Sequence, residues 1–369
     1  MDAQESLNQR EITMTTESPE TVSVTPEPLM QMMQGMHVTA ILQAGVQLGI
    51  FDHIADGNTD AATIAGKAGA DERGTRILLD ALAALRLLEK DGGYRLSALA
   101  DAFLVSSRPG YFGGMADILN SDLFWQAFSR FGEAVRRGGT ILDQHAEVPG
   151  NQFWEMFAGS SAGIAVPASH ALAETLQPWA AQRESLKVLD IACGSGQFGL
   201  ALAARYPQAR VTLLDWPNVL TRTRRNVNKT GLDERMRYIA GDVFQVFLGG
   251  PYDLIVASHV FHHFTEQRCL DLLRRLARAL TPAGRLAIHD FTATGHRPAD
   301  EPFPALFSAL MLAWTQHGEA HPLATYQRLL AETGFRAPEV SDSPGSPARF
   351  LITSIQGTEH SQHATSHSC

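Results

Sequence analysis

The sequence predicts an α/β protein in which a doubly wound parallel sheet, closed by an antiparallel final strand, follows a mainly α-helical region with winged-helix order. Three observations predict it. From Leu186 onward short β-rich runs alternate with helical segments. From Met30 to about Leu104 the apolar residues recur at helical spacing instead. A glycine-rich turn, Gly194-Ser195-Gly196-Gln197-Phe198-Gly199, directly follows the first β-rich run, as it does where open sheets bind ligands. The length of 369 residues suits about two domains with ragged ends.

Residues 1–29 open the chain with Thr, Ser, Glu and Pro and almost no large apolar side chain, so a disordered tail is expected. Val38, Ile41, Leu42 and Val46 then mark one helical stripe, and Leu48, Ile50 and Phe51 continue the apolar run that ends it. Asp60 precedes the short helix AATIAGKAG, and Asp71 can cap the longer DERGTRILLDALAALRLLEK. Asp91-Gly92-Gly93 followed by YRLS reads as a tight turn into a strand. Helix, helix, hairpin is winged-helix order. Its candidate recognition segment, from Asp71 to Asp80, sets three acids against Arg73 and Arg76, so self-association is expected rather than DNA binding.

Between Phe112 and Thr175 aromatic residues are dense on helix-like segments. Core packing accounts for most of them. Phe153, Trp154, Met156 and Phe157, shortly before the next domain, are candidates for an apolar ligand pocket. The segment 30–175 is therefore read as a dimerisation domain with substrate-capping helices, and 176–356 as the sheet domain. In the latter LKVLDIA, ARVTLLD, MRYIAGD, YDLIVAS and GRLAIHDF are strands, with a helix from Glu266 to Leu280 and a closing hairpin of APEVSD and ARFLITSI. Residues 357–369 form a second, His-rich tail.

Composition narrows the function classes. With 44% hydrophobic and 19% charged residues the chain is of ordinary globular type. Thirty basic against 39 acidic residues give a formal charge of −9, which argues against nucleic-acid and anionic-membrane partners. No apolar run approaches the about 20 residues of a membrane helix. Three scattered cysteines suit a reducing compartment, and a cytoplasmic protein is expected.

The chemistry gathers at the strand ends. GSGQFG fits the G-x-G-x-x-G pattern, and Asp215 closes the second strand about 20 residues on, where a carboxylate accepts from vicinal ribose hydroxyls. Asp190 sits just ahead of the glycines, where it would repel a pyrophosphate and attract an ammonium group. That favours S-adenosylmethionine over a dinucleotide. Asp242 and Val243, at the end of the third strand, are placed to meet an adenine; the alternative for Asp242 is a cap on the next helix.

The stretch carrying DIACGSG, LLDWP, GDVF, ASHVFHHFTEQRCLDLLRRL and LTPAGRLAIHDF resembles the class I S-adenosylmethionine-dependent methyltransferases, whose sheet is Rossmann-like. With the winged-helix region the resemblance runs from about Met30 to Ile355. The whole is similar to small-molecule O-methyltransferases that carry an N-terminal dimerisation domain. The resemblance implies a homodimer acting on a hydrophobic aromatic or polyketide-like hydroxyl. It implies that Gly194 and Gly196 lie beside the methionine and ribose portions, that Asp215 holds the ribose, that Trp216 packs against the adenosine, and that Asp242 and Val243 hold the adenine. It makes His262 the general base, in His262-His263-Phe264 where the family has His-Asp-Trp, and Asp290 the acid that orients it.

The chain departs from the family pattern in three places. His263 replaces the Asp of the motif, and both it and His259 are read as structural or pocket-lining. Ser258 stands where many plant members carry a lysine near the cofactor, and Ala320 where a second orienting Glu is expected, with Glu319 one residue away. For His262 itself, substrate positioning and plain packing are alternatives to the base role. Transfer to carbon or nitrogen, and a non-methylating reaction on the same fold, are the alternatives to O-methylation. His259, His262 and His263 crowd one turn, and with His289 and His317 they raise the question of a metal site, yet a strand-to-helix turn rarely aims three imidazoles at one centre, so no metal is expected. The substrate pocket is expected to draw on Phe112 to Phe157 and on Phe291 to Gly318, where no motif names the substrate.

Overall fold

The computed structural model describes residues 25–295 and 297–356, so both terminal stretches from 1 to 24 and from 357 to 369, including the expected tails, lie outside the described residues. The first described helix, Glu27–Met33, begins inside the stretch read as tail. Its Leu29, Met30, Met32 and Met33 are exposed.

The helical order of the N-terminal region follows its caps. Asp60 accepts from the Thr63 N–H at 2.8 Å and Asp71 from the Gly74 N–H at 2.9 Å, so the helices Ala61–Ala68 and Glu72–Ala84 start where the carboxylates sit. The run ending LRLLEK does not stay helical. The helix stops at Ala84, Arg86 turns left-handed, and Leu88–Lys90 (β1) pairs antiparallel with Tyr94–Leu96 (β2). The apolar run after Val46 also breaks, because Gly49 is left-handed and starts a new helix, Ile50–Ala55. Asp80, at the end of the candidate recognition segment, accepts from Lys90 Nζ at 2.5 Å and from the Tyr94 hydroxyl at 2.7 Å, so it braces the hairpin. Ile50, Phe51, Ile64, Leu79 and Leu82 fill this domain's own core.

The sheet domain has seven strands: Leu186–Ile191 (β3), Ala209–Asp215 (β4), Met236–Ala240 (β5), Tyr252–Ser258 (β6), Leu280–Asp290 (β7), Glu339–Asp342 (β8) and Arg349–Ser354 (β9). Their order is β5-β4-β3-β6-β7-β9-β8, parallel except for β9, which runs antiparallel to both β7 and β8. The chain winds outward from β3 to β5 and then returns to β6 on the other side of β3. The crevice therefore opens beyond the carboxyl ends of β3 and β6. Continuous apolar runs in β3, β4 and β6 reflect burial on both faces.

The boundary expected at residue 175 does not divide the packing there. Ala168, Leu172, Ala173 and Leu176, on and after the helix Ala162–Thr175, pack in one core with Leu186, Val188 and Leu202. Between the two domains, Phe124 and Phe153 meet Trp314 of the helix Pro302–Trp314.

Candidate active site

The turn after β3 is shaped by close approach. Gly199, in the first turn of the helix Gln197–Arg205, lies close against β4, and a Cβ there would lie 2.7 Å from Leu213 Cδ2. Gly194 is left-handed, and a Cβ on it would meet nothing within 4 Å, so its backbone borders open space. Asp190 is buried beneath the turn. One carboxylate oxygen accepts from the Gly199 N–H at 3.0 Å, while the other is buried with no partner. Burial pushes its pKa up to about 7. Asp215, at the end of β4, accepts from the Gly194 N–H at 2.8 Å and the Trp216 N–H at 2.7 Å, and burial raises it to about 6. Each oxygen keeps a lone pair for a further donor. A partnerless buried carboxyl oxygen, a second acid at the next strand end and an open glycine face fit a cationic nucleoside.

Asp242, half-buried after β5, accepts from the Phe244 N–H at 2.9 Å and from Gln245 Nε2 at 3.1 Å, so part of its capacity closes its own turn. Val243 is buried beside it, and its carbonyl accepts from Arg275 Nε at 3.1 Å. The Ser258 hydroxyl lies 3.2 Å from His289 Nδ1, whose ring reaches Ser343 Oγ at 3.0 Å through Nε2. Ser258 is thus engaged with a buried histidine.

His262 and Asp290, paired in the sequence only through the family resemblance, lie side by side. A short 3-10 turn, Phe261–His263, follows β6 and points His262 Nδ1 at Asp290 Oδ1, 2.5 Å away, with both residues buried. Asp290 ends β7 and also accepts from the Phe291 N–H at 2.8 Å and, on its other oxygen, from the Tyr326 hydroxyl at 2.9 Å. Burial by itself would raise this carboxyl. The facing His262 and His259 imidazoles outweigh it and hold Asp290 well below the ordinary carboxylate range. Gly318 backs the turn so closely that a Cβ would fall 2.5 Å from the His262 carbonyl oxygen. Phe307 stands edge-on to the His262 ring at 4.8 Å, and Phe291 joins Phe303 and Phe307 in an aromatic wall.

The pocket candidates separate. Trp154 is edge-on to His263 at 5.2 Å, which ties the helix Gln152–Ser160 to the turn Phe261–His263. Phe153 is packed among Phe124, Trp154, Phe157 and Trp314. Met156, on the same helix, is 54% exposed. His263 Nδ1 is buried without a partner, and burial, reinforced by His262, pushes the ring's pKa well below its ordinary value. Glu319 does not reach His262: its side chain is 61% exposed and its nearest imidazole is His321, 3.9 Å away. Two contributors went unread in the sequence. Tyr326 lies on the helix Leu323–Glu332 with nothing in its spacing to link it to Asp290. His259 belongs to the visible histidine crowd, but only the fold shows that it faces the same carboxylate.

The family model for an O-methyltransferase domain matches residues 172–336, and that for an O-methyltransferase dimerisation domain matches residues 30–106. Acetylserotonin O-methyltransferase of Mus musculus is 30% identical over 331 residues, 83% of each chain. The tetracenomycin polyketide synthesis 8-O-methyl transferase of Streptomyces glaucescens is 27% identical over 316 residues, 84% of this chain and 91% of that one. A solved chain from Nostoc punctiforme superposes with a TM-score of 0.84 at 29% identity, covering 90% of this chain and 100% of its own.

Proposed function

The chain belongs to the O-methyltransferase family and uses S-adenosylmethionine, and we propose that it methylates a hydroxyl on a hydrophobic aromatic or polyketide-like molecule of secondary metabolism. The observation that carries this reading is the buried contact of 2.5 Å between His262 Nδ1 and Asp290 Oδ1 at the mouth of the β3–β6 crevice. Bound S-adenosylmethionine supplies a methyl group already activated on a sulfonium, so the chain's own work is to bind, align and take up a proton. Asp190 would face the cofactor's ammonium with its partnerless oxygen, and Gly194 and Gly196 would border its chain. Asp215 would hold the ribose, Trp216 would flank the adenosine, and Asp242 and Val243 would hold the adenine. Ser258 would lie near the cofactor's amino-acid end, positioned through His289.

With Nδ1–H donating to Asp290, His262 carries its free lone pair on Nε2, where it accepts the substrate's hydroxyl proton. Asp290 fixes that tautomer and balances the imidazolium that results, while Tyr326 and the Phe291 N–H fix Asp290. Trp154 and Phe157, on the helix Gln152–Ser160, and His263, on the turn after β6, would be the pocket-side groups, with Phe153 packed against Trp154 and Phe157. The exposed Leu29, Met30, Met32, Met33 and Met36 support a homodimer formed through the N-terminal region. Buried free Cys193 and Cys269 suit the reducing cytoplasm.

A mass-spectrometric screen of phenols and polyketides with S-adenosylmethionine tests the reading. The expected result is one methylated product per S-adenosylhomocysteine released, with His262→Ala strongly impaired. A His262→Ala chain at near-wild-type rate would turn the assignment to carbon or nitrogen transfer, and product without S-adenosylhomocysteine would turn it to a non-methylating reaction.

A further inference from the structure

We propose that His259, His262 and Asp290 form a binding site for a divalent cation of the zinc type, and that its occupation turns the base off. One ligand atom from each residue lies within 4.8 Å of the others. His259 brings two further observations. Its Nδ1 is buried with no hydrogen-bond partner, 3.7 Å from Asp290 Oδ1, and its backbone is held at φ +52°, in the left-handed region that few non-glycine residues adopt. Two imidazole nitrogens and one carboxylate oxygen are a donor set for zinc, whereas magnesium and calcium want oxygen. Three protein ligands leave a fourth position for water. The Tyr326 hydroxyl and the Phe291 N–H already orient the carboxylate from behind, as outer partners do in metal sites.

The spacing shows what a cation would displace. Metal–ligand distances of about 2.0–2.2 Å place tetrahedral ligand atoms roughly 3.3–3.6 Å apart. The His259–Asp290 separation of 3.7 Å is close to that, while His262 and Asp290 at 2.5 Å must open by about 1 Å. A proton is what holds them closed. When Nδ1 of His262 coordinates a cation, the ring's single proton moves to Nε2; no proton is lost and nothing is oxidised. Nε2 then donates and has no lone pair for a substrate hydroxyl. The inhibition rests on the reading of His262 as base; the cation binding does not.

The test uses the full chain stripped of metal. Calorimetric titration with ZnCl2 is run on the wild type, on His259→Asn, which tolerates the left-handed backbone, and on His259→Ala. The histidines near the C-terminus are common to all three proteins, so the difference isolates this site. S-adenosylmethionine affinity, measured alongside, reports that the variants fold. The expected result is one Zn2+ equivalent weakened at least about tenfold in both variants, loss of the corresponding tetrahedral Co2+ absorption band, and no response to Mg2+. With an accepted phenol, Zn2+ should slow the wild type at concentrations that leave His259→Asn turnover unchanged. Identical Zn2+ stoichiometry and affinity in wild type and variants would overturn the site. Zn2+ binding that depends on His259 but leaves wild-type turnover intact would overturn the switch and count against His262 as base.

Discussion

Asp290 is held by His262, Tyr326 and the Phe291 N–H at once, and most of what the site is expected to do follows from removing one contact at a time. His262→Ala should lower kcat by about 10²–10⁴, the usual range for a positioned general base, with S-adenosylmethionine affinity unchanged by calorimetry. Tyr326→Phe leaves a buried carboxylate oxygen short of a donor and should cost about 1–3 kcal/mol of folding stability, read from denaturant midpoints. The two buried acids at the ends of β3 and β4 set a pH dependence of their own. Burial raises Asp190 to about 7 and Asp215 to about 6. The folded chain therefore binds protons more tightly than the unfolded one between the ordinary carboxylate range and about pH 7, and the free protein loses stability as pH rises through that window. An ammonium beside Asp190 needs the ionised form. S-adenosylmethionine should thus bind more tightly, and raise Tm further, at pH 8 than at pH 5.5; a flat affinity across that range would count against Asp190 as the ammonium's partner.

At the scale of elements, glycines set the distances. Gly199→Ala would drive a Cβ against Leu213 and Val211 and to 3.3 Å from Asp190 Oδ2. It should destabilise by about 1–3 kcal/mol, visible as a lower Tm, and should weaken cofactor binding as the turn shifts. The sequence announces this turn because the glycine spacing, the preceding apolar strand and the acid at the next strand end are all local patterns. The Asp60 and Asp71 caps are legible for the same reason. Leu88–Lys90 is not, since LRLLEK carries helical periodicity and only pairing with Tyr94–Leu96 overrides it. The helix Pro302–Trp314 is apolar on most sides and shows no clear stripe, so its Phe303 and Phe307 could not be assigned to the wall beside His262 without the fold. Tyr326 and His259 reach Asp290 across sequence distances of 36 and 31 residues, which no spacing rule spans.

For the whole molecule, Leu29, Met30, Met32, Met33 and Met36 give the helix Glu27–Met33 and the start of the next helix, Gly35–Gln47, an exposed apolar surface among the described residues. Met32 and Met33 are 76% and 77% exposed, and charging both as Met32→Glu/Met33→Glu should convert a dimer to monomers by light scattering. An unchanged mass would place the dimer contact elsewhere. The last strand has a different kind of consequence. Asp290 lies opposite Arg349 in the β7–β9 pairing, so the far side of the strand that carries it is completed by residues close to the C-terminal end of the described chain. During synthesis the glycine turn, both histidines and Asp290 leave the ribosome long before β9 does. A message cut short just ahead of Arg349 would thus yield a polypeptide with every reactive group present and the strand beneath one of them left as a bare edge, prone to pair with a neighbour's.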